Sequence, residues 1–261
     1  MQRGLARHGA RLGRAIADVV LAGLLGREWL LDSHYATRSH VAVLRRPLDP
    51  TRYREGLADR APIVLLPGIY EDWQFLHPLA DLMHELGHPT HAVVELRRTT
   101  TGIERGAEIV SAELERLDLR GAVLLAHSKG GLIGKKVMLG PSGWRVARLV
   151  AIATPFSGSA WGDVLPVRAI RALAPSSPDV LALAAETAVN ARITSIYPLF
   201  DPHVPGGSEL PGAENVRLPI AGHSRILADP VALRAVGRAV AGAAEEAERA
   251  AGDAPLGDRS R

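Results

Sequence analysis

At 261 residues, nearly half of them apolar, the chain can bury one substantial core, so disorder is not the starting expectation. It has no cysteine, which excludes disulfides, thiolate metal sites and a cysteine nucleophile together and fits a cytoplasmic setting. The net charge is only +3, and of 31 basic residues just three are lysines; the arginines are interspersed with 28 acids and no aromatic residues interleave them, so no nucleic-acid partner is expected.

Arg3, Arg7, Arg11 and Arg14 precede an apolar stretch from Ala15 to Leu25. That stretch is too short to span a bilayer, is interrupted by Asp18, and is followed by no small-residue cleavage site. Leu12, Ile16, Val19, Val20 and Leu24 recur at helical spacing, so residues 1–35 read as an amphipathic helical extension. It either packs on the domain or lies on an anionic membrane surface, a peripheral contact. Strand-length apolar runs then alternate with helical patterns. His40–Leu44 is a first candidate strand and Pro62–Leu66 a second, followed by a helix near Gln74–Leu86. His91–Leu96 reads as a strand, Ile103–Leu117 as a helix, Ala122–Ala126 as a buried strand and Lys129–Met138 as a helix. Ala147–Ala153, Ile193–Leu199 and Asn215–Ile220 are further strands, a helix over Pro230–Ala247 closes the series, and residues 251–261 read as a flexible tail.

Continuous apolar strands separated by helices imply an α/β domain over residues 36–250, a mostly parallel sheet with helices on both faces. Ligands of such sheets bind at the carboxyl ends of the strands. The outsized connection, residues 155–191, is broken by Pro166, Pro175 and Pro178 and is a candidate small cap.

The decisive segment is Ala126-His127-Ser128-Lys129-Gly130-Gly131. A buried strand ends at a serine and a helix begins at once, the G-x-S-x-G arrangement with alanine in the first position. Such a turn lifts the hydroxyl clear of the backbone, and glycine lets strand and helix approach closely. Spacing excludes a P-loop around Gly134-Lys135, and no serine stands three residues before any lysine. A serine at its free pKa needs a base. Of the histidines well beyond Ser128, His223 sits in a loop between the last strand and the last helix, where a base could reach over the sheet edge. Asp201 directly follows the Ile193–Leu199 strand and is the leading acid, ahead of Asp163, Asp179, Glu186, Glu209 and Glu214. The Leu66-Pro67-Gly68-Ile69 turn places the Ile69 N–H, with that of Lys129, as a pair of oxyanion donors. His77, His84, His88 and His91 cluster in sequence, but their spacing suits no zinc motif, so no metal site is expected.

These segments, with Ala153-Thr154-Pro155-Phe156-Ser157-Gly158-Ser159, Val204-Pro205 and Gly222-His223, resemble the bacterial lipases and esterases of the α/β-hydrolase superfamily over roughly residues 62–225. The resemblance implies the α/β-hydrolase fold, a cofactor-free serine hydrolase of carboxylic esters, and a triad of Ser128, Asp201 and His223. Its substrate would be a small-molecule or lipid ester, with Phe156, Trp161 and Leu165 of the cap expected at the acyl chain. Two positions depart from the pattern: proline stands before Gly68 where histidine is usual, and Lys129 stands where a small or apolar residue is common, which leaves substrate polarity open. The alternatives are an acyltransferase or amidase on the same triad, or a non-catalytic hydrolase-fold protein at a membrane surface.

Overall fold

The computed structural model describes residues 2–252, and the side chains of residues 23, 25–96 and 98–242. Its strands are β1 (Ile63–Leu66), β2 (Thr90–Ala92), β3 (Ala122–His127), β4 (Val146–Ile152), β5 (Ile193–Phe200) and β6 (Glu214–Ala221). They form one sheet in the order β2-β1-β3-β4-β5-β6, and every neighbouring pair is parallel. The helices are α1 (Gln2–Arg45), α2 (His77–Glu85), α3 (Ile103–Arg116), α4 (Lys129–Leu139), α5 (Trp161–Val164), α6 (Arg168–Arg171), α7 (Pro178–Ala185) and α8 (Pro230–Gly252).

The two-residue period of the strands divides the core into two layers. Val64, Leu66, Leu124, Ala126, Leu149 and Ala151 face the layer completed by α3 and α4. Ile63, Leu65, Val123, Leu125, Val150 and Ile152 face the one completed by α2 and α8. Because both faces are covered, the strands read as unbroken apolar runs rather than as alternation. The chain leaves β1 toward β2 on one side and returns to β3 on the other, so the connections diverge above the carboxyl ends of β1 and β3. That is where a parallel sheet opens a crevice.

His40–Leu44 is not a strand, and the N-terminal helix does not stop near residue 35: α1 runs unbroken to Arg45 and ends two residues before Pro47. The alternation His40-Val41-Ala42-Val43-Leu44 finds no strand partner. Instead Tyr35 and His40, five residues apart, both place their rings against Phe75, at centroid separations of 6.3 and 5.0 Å. The strand expected over His91–Leu96 is shortened to Thr90–Ala92 because the chain turns through a 3₁₀ segment, Val94–Thr99, with Arg98 and Thr99 at positive φ. The amphipathic face expected from Leu12, Ile16, Val19, Val20 and Leu24 lies outside the described side chains, and most of the expected tail, residues 253–261, lies outside the described residues. Among the described residues no helix is long and apolar enough to cross a membrane.

Candidate active site

Ser128 stands between β3 and α4 with φ 52° and ψ −124°, a backbone conformation strained for a residue with a β-carbon. Its N–H donates to Ile152 O at 2.8 Å and its carbonyl accepts from Thr154 Oγ1 at 2.9 Å, so neighbouring β4 holds the turn. Gly130 lies so close to the end of β1 that a β-carbon there would collide with the Leu66 carbonyl. The glycine is therefore a requirement of strand–helix approach.

The hydroxyl of Ser128 is 2.9 Å from His223 Nε2, and His223 Nδ1 donates to Asp201 Oδ2 at 2.8 Å. The other carboxylate oxygen of Asp201 accepts the backbone N–H groups of His203 and Val204, at 2.8 and 2.9 Å. With Nδ1 donating to Asp201, a neutral imidazole presents the lone pair of Nε2 to the Ser128 hydroxyl. All three residues are at most 5% exposed. Burial works against the charged imidazole of His223, but the Asp201 carboxylate, with those of Asp32 and Glu71, prevails and raises the pKa above the ordinary histidine value. Burial likewise works against the Asp201 carboxylate, and there the charge of His223 and the accepted hydrogen bonds prevail and lower its pKa. His203 packs on the His223 ring at 4.8 Å, and burial together with that neighbour pulls its pKa down to about 4.

The Ile69 N–H has no hydrogen-bond acceptor among the described residues, and Lys129 is the first residue of α4, where an N–H has no intrahelical partner. The Lys129 side chain turns away from Ser128: Nζ donates to Thr99 O at 2.8 Å and also to Thr101 O. Burial brings its pKa down to about 8. The Lys129 charge thus lies against the loop after β2.

A cavity of about 450 Å³ opens over Ser128 and His223, walled mainly by apolar side chains that include Ile69, Phe75, Ile170 and Leu173. Trp161 and Leu165 line it, and Trp161 Nε1 donates to Pro202 O at 2.7 Å, tying the segment after β4 to the loop that carries Asp201. Phe156 does not line it. That ring is 3% exposed and packs in the α3–α4 layer of the core. The histidines His77, His84, His88 and His91 do not converge: His77 and His88 bond the backbone carbonyls of Gln74 and Ala61, and His84 packs edge-on against Tyr53.

Several residues around the site were not singled out from the sequence. Glu71 Oε2 accepts the Gly68 N–H at 2.6 Å and lies 2.9 Å from His127 Nδ1, whose other ring nitrogen is 3.0 Å from the His223 carbonyl. This buried bridge links the turn after β1, the residue before Ser128 and the backbone of His223. The signal available was an acid three residues beyond Gly68 and a histidine next to Ser128, but nothing local pairs them. Trp29, Ala36 and His40 of α1 also line the cavity.

No family model matches the sequence, and no curated protein matches it. Among solved structures, the mature form of lipase BlEst2 from Bacillus licheniformis superposes with a TM-score of 0.55 at 13% identity, over 74% of this chain and 96% of that one. Lipase B of Aspergillus fumigatus gives 0.56 at 15% identity, over 68% of this chain and 51% of that one. The fold is that of the α/β-hydrolases. A structure from work on carboxylesterases of the thaumarchaeon Nitrososphaera gargenis shares this hydrolase fold at a TM-score of 0.51 and 14% identity, over 74% of this chain and 93% of that one. At these identities the hydrolase fold is what the likeness carries, and the chemistry has to be argued from the side chains.

Proposed function

We propose that the protein is a serine hydrolase of carboxylic esters with apolar acyl chains. The observation that carries this reading is the hydrogen-bonded series Ser128–His223–Asp201 at the floor of an apolar cavity. Ser128 Oγ attacks the ester carbonyl while His223 Nε2 takes its proton, and Asp201 holds the ring in the required tautomer and stabilises the imidazolium. In this reading the Ile69 and Lys129 N–H groups are the oxyanion donors. Collapse of the tetrahedral intermediate expels the alcohol, which receives the proton from His223. Water, activated by the same imidazole, then releases the acid from the acyl-enzyme. The lipases and the carboxylesterase that share the fold support an ester as substrate.

The experiment is labelling with a fluorophosphonate, followed by a series of esters of increasing acyl length. The protein will be labelled at Ser128, and kcat/KM will rise from acetyl to medium-chain esters. Each added CH₂ that becomes buried contributes at most about 0.8 kcal/mol, or about fourfold. Leu165→Asn will flatten the rise. Leu165 is a cleaner site for this test than Trp161, whose indole N–H also holds the loop of Asp201. A profile that falls steadily from acetyl upward would remove the apolar-acyl part of the reading, and failure to label would remove the whole.

A further inference from the structure

The N-terminal helix packs on the domain and reaches the His223 loop. Asp32, in α1, is fully buried. Its Oδ1 accepts two backbone N–H groups, those of Ser224 at 2.8 Å and Arg225 at 2.9 Å, the two residues that follow His223. One turn earlier in α1, Glu28 pairs with the guanidinium of Arg225. On the other side of His223, Gly222 has φ +109°, and a β-carbon there would stand 2.8 Å from Asp32 Oδ1. The His223 loop is thus shaped to receive this carboxylate. The second oxygen, Asp32 Oδ2, is buried with no hydrogen-bond donor among the described residues.

We propose that α1 is part of the active site, and that Asp32 is a positioning residue for His223 that also adds a carboxylate to those of Asp201 and Glu71 near its imidazole. This rests on the serine hydrolase reading for its catalytic meaning. The groups around His223 come from every side: Asp201 and His203 from the loop after β5, His127 and Ser128 from the end of β3, and Glu71 from the turn after β1. Asp32 completes the ring from α1, and the Arg225 charge is taken up by Glu28. Burial pulls the His203 pKa down, and the carboxylates of Asp201, Asp32 and Glu71 each raise that of His223. Their common effect is to favour the imidazolium, the form His223 adopts once it has taken the serine proton.

Two substitutions separate the clamp from the charge. Asp32→Asn keeps a carbonyl oxygen to accept from Ser224 and Arg225 and removes the charge. Asp32→Ala removes both. In Asp32→Asn, the His223 imidazole, followed by NMR titration of its ring protons, will titrate at lower pH than in the wild type. The acidic limb of kcat/KM will move to lower pH with it, because a less stabilised imidazolium gives up its proton earlier. In Asp32→Ala, kcat at the pH plateau will fall by about 10- to 100-fold, as expected when the base is displaced by a fraction of its working distance. Asp32→Asn will restore most of that loss. A purely structural role would lower melting temperature and rates in both variants without moving the titration. An unmoved His223 titration in Asp32→Asn, or full kcat in Asp32→Ala, overturns the proposal. Should Asp32→Ala fail to fold, the titration in Asp32→Asn still decides. The NMR reading needs no substrate, so a wild type that hydrolyses no ester would overturn the proposed function and leave this test intact.

Discussion

Ser128→Ala will fold with its turn intact and lose on the order of 10⁶ in kcat, the expected cost of removing the nucleophile from a serine triad. The turn survives because it is held from outside the side chain, by the Ser128 N–H on Ile152 O and by Thr154 Oγ1 on the Ser128 carbonyl. Alanine keeps the strained φ of 52°, so the stability of this variant should stay close to that of the wild type. Ser128→Gly will be equally inactive but more stable by about 1 kcal/mol, since glycine relieves a strain of that order at positive φ. Kinetics with a good ester substrate and thermal melting of the three proteins check both halves of this expectation. Ester turnover within tenfold of wild type in Ser128→Ala would remove Ser128 from the mechanism.

Asp201→Asn will lower kcat by about 10⁴ with little change in KM. The asparagine oxygen can still accept from His203 and Val204, so its NH₂ group will face His223 Nδ1. That contact requires Nδ1 to accept, which moves the ring proton to Nε2 and points a donor at the serine hydroxyl. The base is then blocked by its tautomer and not by any displacement. Asp179→Asn and Glu214→Gln will stay close to wild type. Asp179 lies in α7 with Lys136 and Glu186 in a surface cleft, and Glu214 begins β6, at the end of the sheet opposite to Ser128. Reversal of this ranking would assign the acid elsewhere.

What could be read from the sequence and what could not divide along physical lines. The Ser128 turn is a local event, a buried strand meeting a glycine-rich helix start, and its signature fits within six residues. Asp201 and His223 follow from chain order once that turn is placed, because each sits at the carboxyl end of a parallel strand. Asp32, Glu71 and His127 carry no such signature. Asp32 acts on backbone groups 192 and 193 residues away, and Glu71 meets His127 across 56 residues, so their partners exist only after the layers have packed. The misreading of His40–Leu44 has the same origin. Five alternating residues suit a strand or the last turn of a helix equally well, and Phe75, packed against Tyr35 and His40, belongs to a distant segment. Phe156 and Trp161 differ by only five positions and are both aromatic, yet one enters the core and the other the cavity, a choice made by the path of the chain after β4.

The docking of α1 has a consequence for biosynthesis. The surface that receives Asp32 is built from the loop after β6, nearly two hundred residues later in the chain. At translation rates of about 5–20 residues per second, the helix waits roughly 10–40 seconds from its own synthesis before that loop exists. During that interval the cavity that Trp29, Ala36 and His40 line lacks its wall of His223 and Ser224, and the buried carboxylate has no amides to meet. The contact of Asp32 with the His223 loop therefore cannot form on the ribosome until that loop has been made. It is completed in one late step, when the end of the sheet reaches back to its beginning, and a nascent chain stopped before residue 224 would carry its nucleophile in place with no base beside it that α1 could hold.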